Sequence, residues 1–206
     1  MTWIIIKGGP VMIPILIGSV IGLAIIINRL WLLYRWSGNS QEFTREVIEN
    51  VRAGRFDEAR EVCLKNPRYP LAATLMVGIN KKDLPDHEVE KSMERAGNAQ
   101  VKELEPYIGG LISIIGIEPL LGFLGTITGL IRAFMAWEKA GSDITVSALA
   151  SGIYEAMITT AAGLIIAVPY YLVCNFIISR IKYISYELSD GSMQLAEELS
   201  AFKRGR

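Results

Sequence analysis

The sequence contains very little of what enzymes ordinarily use for chemistry. Its 206 residues include one histidine and two cysteines. His87 stands in a polar, proline-containing turn without the cysteine or carboxylate neighbours of a metal site. Cys63 falls in a charged stretch and Cys174 in an apolar one, so no disulfide framework is expected. No nucleophile, metal cluster or phosphate-binding loop is recognisable, and we expect no enzymatic activity, no metal and no cofactor.

The chain also has no net charge, because 21 basic residues are balanced by 21 acidic ones. A neutral chain without a basic face argues against a nucleic-acid partner. What the chain has instead is apolar residues, 51% of the total, gathered in three blocks with the charge between them. About 20 apolar residues in a helix cross a bilayer core of about 30 Å. The blocks at 11–34, 107–136 and 146–178 therefore predict an all-α membrane protein with three transmembrane helices in the lipid bilayer.

The first block could also be a cleaved signal peptide, which would be shorter and would end in small residues. It ends instead in bulky aromatic residues and two arginines, Arg29 and Arg35. This composition is typical of an interfacial anchor, and we therefore predict a retained helix.

The charged segment 35–106 shows helical periodicity and predicts a bundle of short helices, with a break at Gly54 and Asp86 as the N-cap of the last helix. A short linker, 137–145, makes the second and third membrane helices antiparallel neighbours. Basic residues follow the first and third blocks, whereas the linker carries one lysine against two acids. By the positive-inside rule, residues 1–10 and the linker lie in the periplasm. The 35–106 domain and the tail 179–206 then lie in the cytoplasm, and the long second and third helices extend into this helical domain.

Two carboxylates, Glu118 and Glu155, fall inside the apolar blocks. A charge at membrane depth costs several kcal/mol, so each is a functional hypothesis. Arg132 lies nearer the outer boundary, and no basic residue shares the depth of Glu155. We therefore expect the partner of Glu155 to be another subunit, another protein, water or a proton.

Small and polar residues accompany both carboxylates at helical spacing. One face of the second helix carries Glu118, Gly122, Thr126 and Gly129, and one face of the third carries Gly152, Glu155, Thr159 and Ala162. Such faces suit close helix packing or a wet pore, and both readings stay open. The predicted packing residues are Gly122, Gly125, Gly129, Gly152 and Gly163.

The two stretches that carry these faces read IEPLLGFLGTITGLIRAF, from Ile117 to Phe134, and GIYEAMITTAAGLIIAVP, from Gly152 to Pro169. Both resemble the two signature stretches of the MotA/TolQ/ExbB proton-channel family, and the nearest members look like ExbB and TolQ. By the family's motif, Glu155, Thr126 and Thr160 match the functional pore positions. Thr159 and Glu118 share their faces and complete the predicted ion pathway. Glu118 is a departure, because its position is commonly small or neutral in the family.

The resemblance implies a homopentamer in the bacterial inner membrane, with the second and third helices around a central pore. The pore would hold the single helices of a dimeric ExbD- or TolR-like partner, whose aspartate takes up and releases protons. The proton-motive force would then energise envelope processes such as TonB-dependent transport, in some cases through a TonB- or TolA-like protein. A membrane scaffold and a stand-alone ion channel or transporter remain alternatives. A MotA-like flagellar stator subunit is disfavoured, because such subunits usually have four membrane helices.

Overall fold

The structure, a computed structural model, describes residues 7–36, 40–140 and 146–205. Within these ranges all regular secondary structure is helical. Seven helices are described: α1 (Met12–Arg35), α2 (Ser40–Arg52), α3 (Phe56–Lys65), α4 (Pro70–Asn80), α5 (Asp86–Leu104), α6 (Ile108–Ala140) and α7 (Val146–Arg204). Residues 141–145 of the predicted periplasmic linker and residues 1–6 of the predicted periplasmic N-terminus lie outside the described residues.

Helices α1, α6 and α7 are each long and apolar enough to cross a membrane, which confirms the predicted fold class. The α7 helix continues past Ile178 to Arg204. Two of these helices contain an internal proline, Pro119 in α6 and Pro169 in α7. Because proline has no N–H, the carbonyl four residues earlier loses its intrahelical donor at each position.

The chain forms two compact units. The first, here called the span unit, contains residues 1–28 and 107–176. Its surface carries many large exposed apolar side chains, among them Ile17, Phe123 and Tyr154. Such a surface suits contact with lipid rather than with water.

The second unit, here called the polar unit, contains residues 29–106 and 177–206. Its core includes side chains that are each at most 1% exposed, namely Val47, Val51, Leu75, Ile79, Met93 and Leu195. Gly54 separates α2 from α3 at the predicted break, with φ +73°, a conformation that glycine adopts without steric cost. The Arg52 guanidinium forms an ion pair with the carboxylate of Glu198, and this hydrogen bond lowers the pKa of Glu198.

The predicted N-cap at Asp86 is wrong. Pro85 occupies the cap position of α5 and Asp86 is the first helical residue. The Asp86 carboxylate instead accepts a hydrogen bond from Lys203 Nζ at 2.7 Å. Hydrogen bonds from Lys203 and Ser200 lower the pKa of Asp86. The carboxylate is therefore drawn to a cation on α7 rather than to the amide groups of its own first turn.

Candidate functional site

Helices α6 and α7 approach each other closely through glycine. A Cβ atom added to Gly129 would lie 2.7 Å from the Gly152 carbonyl oxygen, and one added to Gly152 would lie 2.7 Å from the Gly129 carbonyl oxygen. A Cβ on Gly122 would lie 3.0 Å from the Thr159 carbonyl oxygen. Because the obstacles are backbone atoms, they cannot rotate away. The absence of a side chain therefore sets the distance between the two helices at these positions.

Two further glycines belong to the same contact. Gly125 lies against the Thr159 side chain, and a Cβ on Gly163 would lie 2.5 Å from the Glu118 carbonyl oxygen. The structure thus places all five glycines that the sequence analysis singled out along one antiparallel contact between α6 and α7.

A pair of threonine hydroxyls lies within this contact. Thr126 Oγ1 and Thr160 Oγ1 are hydrogen-bonded to each other. Thr126 Oγ1 is also 3.2 Å from the Ala156 carbonyl oxygen, and Thr160 Oγ1 is 3.1 Å from the Gly122 carbonyl oxygen. Each hydroxyl has a single proton and several acceptors within reach. The pair can therefore change its donor and acceptor roles without any change in the backbone.

Thr159 has a different position from its neighbour. Thr159 is fully buried. Its hydroxyl donates within its own helix, to the carbonyl oxygen of Glu155 at 3.1 Å or of Ala156 at 3.0 Å. Its side chain fills the space opposite Gly125. Thr159 therefore packs the helix contact, while the neighbouring hydroxyl of Thr160 bridges the two helices.

The expectation that Glu155 lacks a partner within the chain is wrong. Arg132 Nη1 donates to Glu155 Oε1 at 2.6 Å, from α6 to α7. The Glu155 side chain is 13% exposed and that of Arg132 is 48% exposed, so the carboxylate is largely covered while the guanidinium still reaches the surface. The long arginine side chain bridges the difference in depth that the sequence analysis took as a separation. One chain thus neutralises its own buried carboxylate.

A third segment, the backbone at Gly9, packs against this ion pair. The backbone of Gly9, with φ +67°, approaches so closely that an added Cβ would overlap the Glu155 carboxyl group and lie 3.2 Å from Arg132 Nη1. The sequence carries no signal for this contact, because Gly9 precedes the first apolar block and belongs to no periodic face.

Glu118 lies apart from the threonine pair. It is 1% exposed, and its carboxyl group lies against Gly18 of α1, beside the Ile114 side chain. Tyr170 also links α7 to α1, because its hydroxyl donates to the Ser19 carbonyl oxygen at 2.7 Å. A buried tyrosine hydroxyl usually has a hydrogen-bond partner. Tyr170, a tyrosine within an apolar block, is therefore the sequence signal from which the contact between α7 and α1 could have been predicted.

The site therefore offers three kinds of group that could bind or pass on a proton. They are the Thr126 and Thr160 hydroxyls, the Arg132–Glu155 ion pair and the isolated Glu118 carboxyl. In the described part of the chain, no group of three or more histidine, cysteine, aspartate or glutamate side chains is placed to hold a metal ion. Thr126, Thr160 and Glu155 follow the α6–α7 contact, and Glu118 faces α1.

Comparison with known proteins adds an independent observation. The family model described as the MotA/TolQ/ExbB proton channel family matches residues 66–190. The chain is 31% identical to the putative biopolymer transport protein ExbB-like 1 of Synechocystis sp., over 84% of this chain and 69% of that protein. It is 28% identical to the Tol-Pal system protein TolQ of Haemophilus influenzae, over 82% and 78% of the two chains. It is 24% identical to the biopolymer transport protein ExbB of Pseudomonas putida, over 94% and 61%.

Proposed function

The chain belongs to the MotA/TolQ/ExbB proton channel family, and from this membership we propose that it is the ring-forming subunit of an ion-driven motor. It is a multi-pass inner-membrane protein of the proton-channel type. The motor would use the proton-motive force to energise envelope processes such as TonB-dependent transport. The observation that carries this proposal is the line of polar groups along the α6–α7 contact, from the Glu155 ion pair to the Thr126–Thr160 hydroxyls.

The spacing of these groups supports a role in a longer proton path. Glu155 and Thr160 are five residues apart on α7, which is about 7.5 Å along a helix. This is a quarter of a bilayer core of about 30 Å. Within the described chain the line ends at the hydroxyls, and in this proposal a second protein supplies the further protonatable groups. We propose a dimeric, single-span ExbD- or TolR-like partner, in some systems together with a TonB- or TolA-like protein.

A ring of identical chains, by family membership a homopentamer, would surround this partner. The apolar windows of α1, α6 and α7 are only 22%, 28% and 22% buried within one chain. Most of their surface is therefore available to lipid and to neighbouring subunits. Native mass spectrometry in detergent tests the ring, and a strictly monomeric particle would contradict it.

Replacement of Glu155 by alanine tests the function. We expect Glu155→Ala to abolish growth that depends on envelope energisation, while membrane insertion persists because a carboxylate leaves the apolar region. Glu138→Ala is the matched control, since Glu138 is an exposed carboxylate near the end of α6. A pure scaffold, whose polar groups only pack helices, should tolerate both changes. Full activity of Glu155→Ala at normal expression would refute the motor proposal.

The ion pair allows three roles for Glu155 to be separated. If the residue acts as a hydrogen-bonding group, Glu155→Gln should retain function. If its charge matters only in balancing Arg132, then Glu155→Gln should be inactive and the double variant with Arg132→Gln should recover activity. If charge or proton exchange at Glu155 is itself required, both variants should be inactive.

We further propose that the N-terminus and the 137–145 linker face the periplasm and that the polar unit faces the cytoplasm. The basic residues that follow the first and third apolar blocks support this orientation. In intact cells with a permeabilised outer membrane, an impermeant thiol reagent should label Ser142→Cys and should not label Asn66→Cys. Ser142 lies outside the described residues, and Asn66 belongs to the polar unit. The reverse labelling pattern would overturn the orientation.

A further inference from the structure

We infer that Glu118 is a proton-binding site inside each subunit, a carboxyl held in its neutral, protonated form where α1, α6 and α7 meet. The site is distinct from the Thr126–Thr160 contact, and it does not depend on the proposed motor function. Glu118 is 1% exposed in a single chain, so the protein itself covers it, without lipid or a neighbouring subunit.

The surroundings of the carboxyl group are apolar and closely packed. A Cβ added to Gly18 would overlap Glu118 Oε1 and would lie 3.3 Å from the carboxyl carbon and 3.9 Å from an Ile114 methyl carbon. Glu118 Oε2 is buried and has no hydrogen-bond partner among the described residues. An ionised carboxylate here would have Oε2 buried without any protein donor, and such a burial is costly.

Among the residues that the structure describes, the helices around Glu118 offer it no countercharge. From α7, the ionisable group nearby is Tyr170, whose hydroxyl already donates to a backbone carbonyl of α1. The α1 sequence before Arg29 has no ionisable side chain, and Glu118 is the only one in α6 before Arg132. Arg132 lies 14 residues further along α6, about 21 Å away, where it pairs with Glu155.

The local backbone favours a donor at this place. Pro119 follows directly and supplies no N–H to the carbonyl of Ile115. Helical side chains lean toward the helix N-terminus, so Glu118 leans back over the turn that contains Ile114 and Ile115. A protonated carboxyl has an O–H donor as well as an acceptor, whereas a carboxylate has only acceptors.

A proton also fits better than a metal cation. Hard cations need several oxygen ligands at once. The one carboxyl at this junction is that of Glu118, and the neighbouring hydroxyl of Tyr170 is engaged with the Ser19 carbonyl oxygen. A proton needs only the carboxyl itself.

Infrared spectroscopy of the full-length protein in lipid bilayers tests the assignment without reference to activity. At neutral pH the difference spectrum between wild type and Glu118→Gln should contain the carbonyl stretch of a protonated carboxylic acid. Glu118→Asp should keep an acid band at a shifted frequency, which guards against misfolding of the glutamine variant. Glu155→Gln is the matched control, and it should remove carboxylate bands instead, because Glu155 is paired with a guanidinium.

Two results would overturn the inference. Carboxylate bands in the Glu118→Gln difference spectrum at neutral pH would mean that the group is ionised. Conversion of the acid band to carboxylate bands on addition of NaCl at constant pH would mean that the site binds sodium. Because the measurement needs neither partner nor transport, its outcome is independent of whether Glu155→Ala abolishes the proposed function.

Discussion

Replacing Gly129 by alanine should destabilise the span unit, whereas the same replacement at Gly116 should not. Both glycines lie within α6. A Cβ at Gly129 would lie 2.7 Å from the Gly152 carbonyl oxygen and 2.9 Å from the Ala156 nitrogen, while a Cβ at Gly116 would meet nothing within 4 Å among the described residues. The two variants gain helix propensity equally, so the difference between them isolates the cost of pushing α6 away from α7.

Overpacking of a close contact costs about 1–3 kcal/mol. For a chain of this size, about 2–4 °C of melting temperature corresponds to each kcal/mol. The Gly129→Ala protein should therefore melt about 2–12 °C below the Gly116→Ala protein when the detergent-solubilised chains are compared by thermal unfolding. Equal melting temperatures would show that the glycine contact does not set the spacing of α6 and α7, and would refute the reasoning.

Three further predictions concern other contacts. Burial raises the pKa of the Cys63 thiol to about 11. At neutral pH, iodoacetamide should therefore modify Cys63 about 100-fold more slowly than a cysteine placed at the exposed neighbour in a Cys63→Ala/Leu64→Cys protein, and equal rates would contradict the buried position. The lowered pKa of Glu198 means that its ion pair stabilises the fold above the ordinary glutamate pKa and is lost as the pH falls through the lower folded value. Glu198→Gln should accordingly lower the melting temperature at pH 7, and its difference from wild type should close below about pH 4; a difference that persists in acid would refute this. Tyr170→Phe removes the hydrogen bond to Ser19 and should cost about 0.5–1.5 kcal/mol, or about 1–6 °C in thermal unfolding, and an unchanged melting temperature would count against this link between α1 and α7.

The membrane helices were predictable because apolar length is a strong signal. The first block, 11–34, differs from α1 by one residue at each end. The capping role of Asp86 was not predictable, because its competing partner, Lys203, lies 117 positions later in the chain. Local sequence can show that a residue is able to cap a helix, but a distant cation decided where this carboxylate goes.

The partner of Glu155 was within reach of sequence reasoning. If Thr126 faces Thr160 in an antiparallel helix pair, then the same register places Arg132 opposite Tyr154, next to Glu155. Arginine has a side chain long enough to close that remaining distance. The depths of the single residues suggest a separation, whereas the register of the two helices brings Arg132 and Glu155 together.

The position of Glu118 was missed for a different reason. Residues four apart on a helix are offset by about 40° around its axis, because a turn holds 3.6 residues. Glu118 is therefore rotated about 80° from Thr126, although the pattern groups them on one face. Rotation alone does not explain the difference, because Gly129 is only about 20° from Glu118 and lies at the α6–α7 contact. The glutamate side chain carries its carboxyl to Gly18 of α1, while the Thr126 hydroxyl stays at the α6–α7 contact.

The glycine contact also has a mechanical consequence. Its close approaches on α7 run from Gly152 to Gly163, which is about 16 Å along the helix, or half of a bilayer core. Sliding α6 past α7 by even one residue would drive threonine or alanine side chains into backbone carbonyls. The two helices must therefore move together as one rigid body. Any functional movement would then occur between this helix pair and α1 or neighbouring molecules, and not between α6 and α7.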